Sequence, residues 1–369
     1  MRIWVISSSY PRHPEESVNA GVIARDLALS LAEQGHEITV VTPRKPGGTE
    51  FDPVLSGIEL PWLSPTLSLA DLSPKRPADL LRMVSLFLAA RPRLRRAVRR
   101  APPEATIALW ALPSGILARW VHRMAGAPYA VWVLGSDVWK APRFPGGSRI
   151  LTTVLRDAEA AFADGTALAE EAERLTGVRV AFLPSCRRLP PPPEHLPEAT
   201  DVLFVGRYHP NKGPDVLIES AALLRAARPD VQVRMYGQGE MRPMLERTVM
   251  RLGLEGSIQV SGPLSATALS GAMARAKVLA IPSRIESIPL ILGDAVQAGL
   301  PVVCSAVGDL PSVVDRYGLG TTVPPGRPDA LAAALDRSLA DPKRLPPEAG
   351  PPWLSPDGLA TEMLKVFTS

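Results

Sequence analysis

Two stretches of the sequence hold residues whose types and spacing suit a phosphate-bearing molecule. In Val205-Gly206-Arg207-Tyr208-His209-Pro210-Asn211-Lys212-Gly213-Pro214, an apolar run ends at Gly206 and two cations follow in a short loop. Pro214 then suits the first position of a helix. Fixed positive charge where a strand ends suits a diphosphate, Arg through forked charge-assisted N–H donors and Lys as a point charge. A solvated turn with two surface cations reads this stretch equally well. In the second stretch, residues 281–303, a strand ends at Pro282, a loop carries Glu286, and a helix begins near Leu290 with Asp294 on its first turns. N–H groups at a helix N-terminus attract phosphate, and carboxylates accept from the vicinal hydroxyls of a ribose or hexose. A lone loop Glu is ordinarily just solvated, so the combination carries the information.

Other chemistry finds less support. Gly237-Gln238-Gly239 follows a strand ending at Tyr236 and imitates a dinucleotide loop, but Arg242 occupies the third glycine position. His13, His36, His122, His195 and His209 are scattered, without the spacing of a metal site. His36 reads as closing a turn, and His209 as either near phosphate or merely exposed. No Gly-x-Ser-x-Gly elbow and no Asp-x-Asp sequence is present.

The elements that must position these residues alternate. Arg2–Ser7 reads as a strand, Val18–Glu33 as a helix with Ile23, Leu27 and Leu31 on one face, and Glu37–Val41 as the next strand. Strands follow at Thr106–Leu109, Tyr129–Leu134 and Ala160–Ala163, with helices near 114–124 and 149–156 between them. The stretch 184–197, with prolines at 190–193, cannot supply the N–H groups of a helix or central strand and reads as a stiff linker at a domain boundary. The alternation then resumes, with strands at 201–205, 231–236, 257–260, 277–281 and 301–304 and helices from Pro214, over 240–252 and over 290–297. A second proline cluster at 346–352 precedes a last helix at about 357–367. This is the pattern of parallel βαβ units: an α/β chain of two Rossmann-like doubly wound domains, 1–185 (joined by a C-terminal helix, 353–369) and 198–345. In such sheets ligands bind beyond the C-terminal ends of the strands, and two facing edges would leave a cleft.

Composition sets bounds on the class. A chain of 369 residues, 46% hydrophobic and 21% charged, has room for two domains and is globular rather than disordered. Two cysteines, Cys186 and Cys304, exclude a disulfide framework and read as half-buried reduced thiols of a cytoplasmic protein. The N-terminus lacks the apolar length of a secretory signal, and no run of about 18 apolar residues is present. Seven arginines fall within 82–100, and Leu80, Leu81, Val84, Leu86, Phe87 and Leu88 precede the cluster of six at 91–100. That arrangement suits an interfacial helix on an anionic membrane surface, interrupted by Pro92, better than a nucleic-acid partner, for which no recognition motif appears.

Taken together, the motifs resemble retaining glycosyltransferases of family 4, whose fold is called GT-B. The matching residues are Gly206-Arg207, Lys212-Gly213, Pro282-Ser283, Glu286 with Asp294, and Gly299-Leu300-Pro301-Val302-Val303, in the family's order and spacing. The resemblance implies that Arg207 and Lys212 hold a donor diphosphate, that Glu286 meets donor-sugar hydroxyls, and that Asp294 meets the ribose diol. It also implies backbone contacts from Leu290 and Ile291 to sugar and phosphate and from Leu264 to the nucleobase. Gly206, Gly237 and Gly21 would line the donor site. The N-terminal half matches more loosely: Asn19-Ala20-Gly21 stands where the family has a Gly-Gly loop. Leu134-Gly135-Ser136-Asp137 stands where it has His-Gly-Ser-Asp, placing Ser136 and Asp137 on the acceptor side.

The implied reaction is metal-independent transfer of a hexose from a nucleotide-sugar donor to a glycan or lipid-linked acceptor, with retained anomeric configuration and no cofactor. Glu286, Arg207 and Lys212 would carry it, with protein donors stabilising the leaving diphosphate. The rivals are a sugar-nucleotide epimerase of similar fold and a non-catalytic nucleotide- or glycan-binding partner of a transferase. The implied location is cytoplasmic, peripheral at the inner face of the cell membrane.

Overall fold

The computed structural model describes residues 1–13, 21–63, 69, 72, 76–143, 145–346 and 348–368. The start of the first expected helix and the Asn19-Ala20 pair lie outside them. The chain divides into two compact units, Met1–Pro184 with Pro356–Ser369, and Ser185–Ser355.

The first unit runs β1 (Arg2–Ser7), α1 (Gly21–Glu33), β2 (Glu37–Pro43), β3 (Ser56–Leu60), α2 (Pro77–Arg100), β4 (Ala105–Leu109), α3 (Ile116–Ala125), β5 (Tyr129–Val133), α4 (Ser136–Trp139), α5 (Gly147–Arg156), β6 (Ala160–Ala163), α6 (Thr166–Thr176) and β7 (Ala181–Phe182). Its sheet is parallel, in the order β3-β2-β1-β4-β5-β6-β7. β4 and β5 are buried along their whole length, as expected where helices cover both faces of a parallel sheet. Helix α2 runs unbroken through Pro92. The carbonyl that loses its partner there belongs to Leu88, on the solvent side of the helix, where water can satisfy it. The expected interruption is therefore absent.

The second unit runs β8 (Thr200–Val205), α7 (Pro214–Ala227), β9 (Val233–Tyr236), α8 (Arg242–Arg251), β10 (Ile258–Ser261), α9 (Ala266–Arg275), β11 (Ala276–Ile281), α10 (Leu290–Gln297), β12 (Val302–Ser305), α11 (Leu310–Val314), β13 (Gly320–Val323) and α12 (Pro328–Ala340). Its parallel sheet has the order β10-β9-β8-β11-β12-β13. The last helix, α13 (Pro356–Thr368), belongs to the first unit and packs on α1.

The proline-rich stretch is not a free linker. From Ser185 onward it is laid on the second unit: Leu189 N–H donates to Gln297 Oε1 at 3.0 Å, and the rings of Pro193 and Pro197 lie against Gly271 of α9. Prolines lack the donors for a ladder but offer rigid apolar surface, so the segment packs without forming strand or helix. The second unit thus exceeds the expected 198–345 at both ends. Both cysteines are fully buried rather than half-buried, and burial pushes the Cys304 thiol up to about 12. Among the described residues, no helix is long and apolar enough to cross a membrane.

Candidate active site

In the second sheet the chain leaves β8 toward β9 and β10, then returns to the other side of β8 as β11. The loops after β8 and β11 therefore diverge, and the gap between them is where open α/β sheets bind ligands. Lys212 lies in the first loop and Glu286 in the second, 74 positions apart, and their side chains form an ion pair. Ser283 Oγ donates to Glu286 Oε2 at 3.3 Å.

The loops are held by close backbone approach. Gly213 has φ +61°, and a Cβ there would lie 2.0 Å from the Pro282 carbonyl oxygen; only glycine fits. A Cβ on Gly237 would lie 1.9 Å from Gly206 O, which brings the loop after β9 onto the loop after β8. Arg284 fastens the pair of loops further. Its N–H donates to Asn211 O at 2.7 Å, and its guanidinium grips Asp215 at 2.9 and 2.6 Å. Burial alone would raise the Asp215 carboxyl, but Arg284 outweighs it and holds the group below its ordinary value.

The other residues singled out from the sequence follow the C-terminal ends of β8, β10 and β11, on the same edge of the parallel sheet. Arg207 is exposed beside half-buried Gly206 and, among the described residues, has no ion-pair partner. Leu290 and Ile291 are half-buried at the start of α10, whose N-cap, Pro289, makes no side-chain hydrogen bond to the first turn. Their N–H groups face the N-terminal end of the helix, where anions are favoured. Leu264 follows β10, half-buried, just before Ser265 caps α9. His209 accepts from Asn211 N–H at 3.2 Å through Nδ1, so it shapes the loop.

Asp294 differs from the expectation. Its side chain has no exposed surface, and both carboxylate oxygens accept from Arg187, at 3.0 and 3.1 Å from Nε and 2.5 Å from Nη2. Burial pushes this carboxyl up, with Arg187 opposing. No oxygen is left at the surface for a ribose. The shorter Asp side chain instead ties α10 to the segment 185–189. Gln297 completes the tie by donating to Arg187 O at 2.8 Å.

In the first unit, Gly21 opens α1, and a Cβ there would lie 2.6 Å from the Cα of Tyr10, so the backbone at Tyr10 is held tightly against the helix start. Ser136 is exposed at the start of α4, while Asp137 is buried. The Asp137 carboxylate accepts from Ala111 N–H at 2.6 Å and Leu134 N–H at 3.3 Å, joining the loops after β4 and β5. Burial pushes its pKa up to about 6 against these hydrogen bonds. Asp137 thus positions loops rather than presenting a free carboxylate. Beside it, Trp110 has φ +67°, strained for a bulky residue.

Sequence reading missed Arg187, Arg284 and Tyr208, whose hydroxyl donates to Met235 O at 2.8 Å and Ser261 O at 2.7 Å. Arg187 sits in a proline-rich stretch 107 positions from its partner, so nothing local marks it.

Comparison with known proteins agrees with this architecture. Residues 189–347 match "Glycosyl transferases group 1", and residues 20–186 match "Glycosyl transferase 4-like domain". A D-inositol 3-phosphate glycosyltransferase of Jonesia denitrificans is 34% identical over 152 residues, 39% of this chain and 36% of that protein. D-inositol 3-phosphate glycosyltransferase 2 of Catenulispora acidiphila is 30% identical over 259 residues, 64% of this chain and 59% of that protein. The match thus spans about a third of the first relative and under two thirds of the second. Among solved structures, sucrose-phosphate synthase from Thermosynechococcus elongatus shares the fold with TM-score 0.65 at 20% identity, covering 100% of this chain and 94% of that one. Anabaena HepE in complex with UDP shares it with TM-score 0.62 at 15% identity, covering 100% and 96%. With both halves matched and two parallel Rossmann-like sheets in place, the chain belongs to the group 1, family-4-like glycosyltransferases of GT-B fold.

Proposed function

We propose that the protein is a retaining, metal-independent glycosyltransferase that passes a hexose from a nucleotide-sugar donor to a glycan or lipid-linked acceptor. The observation that carries this reading is the meeting of Lys212 and Glu286 at the switch point of the second sheet, just before the start of α10, with exposed Arg207 in the same loop as Lys212. In the donor complex Lys212 and Arg207 engage the diphosphate, and Glu286, freed from Lys212, accepts from a sugar hydroxyl. The bond from the anomeric carbon to the diphosphate oxygen breaks, and a bond to the acceptor oxygen forms on the same face. The acceptor proton passes to the departing phosphate. Negative charge grows on the diphosphate, and fixed cations stabilise it without reorganisation. The HepE structure contains UDP, which supports a nucleotide-sugar donor here. The exposed face of α2 supports peripheral attachment to an anionic membrane surface.

The test is nucleotide release from a panel of nucleotide sugars, with and without acceptor glycans, and the anomeric configuration of the product by NMR. Release that depends on acceptor, with retained configuration, is expected. An altered sugar without acceptor would identify an epimerase, and binding without turnover a non-catalytic partner.

A further inference from the structure

Helix α2 carries a stripe that the first unit leaves uncovered. Leu81, Val84, Leu88, Arg91, Arg95 and Arg99 recur at three- and four-residue steps, so they share one face. Leu81 is 61% exposed, Val84 42% and Leu88 72%, whereas Leu86 is buried in the core and Phe87 packs edge-on against Trp120 of α3 at 5.7 Å. The apolar run seen in the sequence therefore divides into a core side and an outward side. The outward side changes from leucine to arginine along one helix.

At the arginine end the surface is concave. Arg91, Arg95 and Arg99 of α2 and Arg123 of α3 surround a cavity of about 600 Å³, with Val98, Trp120 and Met124 completing its lining. No carboxylate lines it, and among the described residues none of the four guanidiniums has an ion-pair partner. Four like charges around one hollow repel each other, and an anion there relieves that repulsion. Both helices end here on the side where β4 and β5 begin, away from the loops that follow those strands. The cavity is thus separate from the residues Ser136 and Asp137.

We propose that this cavity is a headgroup site for an anionic phospholipid, with Leu81, Val84 and Leu88 entering the adjoining apolar layer of a bilayer. A soluble phosphate would account for the arginines but leave the exposed leucine stripe beside them without a role. Guanidinium forks match phosphate oxygens, and a half-buried Trp suits the boundary between headgroups and acyl chains. The inference deepens the membrane reading given above by assigning it to a built pocket, including three α3 residues, Trp120, Arg123 and Met124, outside the arginine cluster of the sequence. It does not depend on transferase activity.

Flotation of the full chain with vesicles of phosphatidylcholine alone, or of phosphatidylcholine with phosphatidylglycerol, tests it. Two triple variants remove the same charge from α2: Arg91→Gln with Arg95→Gln and Arg99→Gln at the cavity, and Arg93→Gln with Arg96→Gln and Arg100→Gln away from it. Binding is expected only with phosphatidylglycerol and should weaken with salt. The cavity triple should lower partitioning on the order of a hundred-fold, a factor of about five per arginine, while the other triple stays near wild type. The lost guanidiniums are exposed and, among the described residues, in no ion pair, and Arg93 gives up only a 3.3 Å hydrogen bond to Glu59 O, so thermal melts should show both variants folded. Equal loss in the two triples would overturn the pocket in favour of diffuse charge. Equal flotation with neutral vesicles, or none with either, overturns the proposal. Thermal stabilisation by inorganic pyrophosphate, abolished in the cavity triple and without flotation, would reassign the site to a soluble phosphate.

Discussion

Replacing Asp294 separates two accounts of the helix that follows the Glu286 loop. If Asp294 binds ribose, Asp294→Ala raises donor KM and leaves the fold alone, because the contact is much the same before and during reaction. The structure says otherwise: the carboxylate has no exposed surface and receives three charge-assisted hydrogen bonds from Arg187. Breaking a buried pair by removing one partner costs about 3–5 kcal/mol, chiefly through the charge left behind. The Arg187 side chain is 22% exposed, so its guanidinium can recover part of its hydration, and a loss of about 2–4 kcal/mol is the better figure. In a unit of this size each kcal/mol moves Tm by roughly 2–4 °C, so the second unit's transition should fall by roughly 4–16 °C. Thermal and denaturant unfolding of Asp294→Ala, Arg187→Ala and the double variant forms a cycle. A coupling of about 1–3 kcal/mol is expected, with the double variant less damaged than the two singles predict. Unchanged Tm in Asp294→Ala together with a several-fold rise in donor KM would refute this reasoning and restore the ribose contact.

Lys212→Ala should lower kcat as well as donor affinity, with a loss of about 2–4 kcal/mol in kcat/KM, because its cation meets charge that grows as the sugar departs. Steady-state kinetics with a folding check measures this, and unchanged kcat and KM would remove the phosphate role. Activity should survive exhaustive chelation; loss on chelation with rescue by magnesium or manganese counts against protein cations as sole stabilisers. Asp137 gives a pH signature. Its folded pKa of about 6 lies above the ordinary 3.8, so the folded state holds the proton more tightly. Its contribution to stability is fully present below about pH 4 and is lost as pH rises through about 6. The shift of roughly two units corresponds to about 3 kcal/mol at most. The stability gap between wild type and Asp137→Asn should therefore move in favour of the variant between pH 4 and 7, and a flat gap across that window would contradict it.

Much of the architecture was legible in the residues. β1, β6 and α10 occupy the spans their patterns indicate, because an apolar run bounded by turn residues leaves a buried strand little freedom in where it starts and ends. Glycines and prolines marked the loops that matter: Gly213 and Pro214 close the Lys212 loop where only glycine fits and where a helix can begin. α12 and β13 escaped notice, as did α6 and α9, because small residues and alanines in those stretches leave a weak apolar period.

What local pattern could not decide is which charges meet. The types and spacing of Arg207, Lys212, Glu286 and Asp294 pointed to a phosphate and a sugar, but charge type says nothing of a partner a hundred positions away. The strand order put the loops after β8 and β11 side by side and so paired Lys212 with Glu286. The same order laid residues 185–189 on α10 and committed Asp294 to Arg187. Likewise the sequence showed leucines and arginines on one helix, but only packing against α3 divided the leucines between core and solvent and hollowed the arginine end. Local chemistry is written in adjacent residues; burial and ion pairing depend on what the chain brings together from afar.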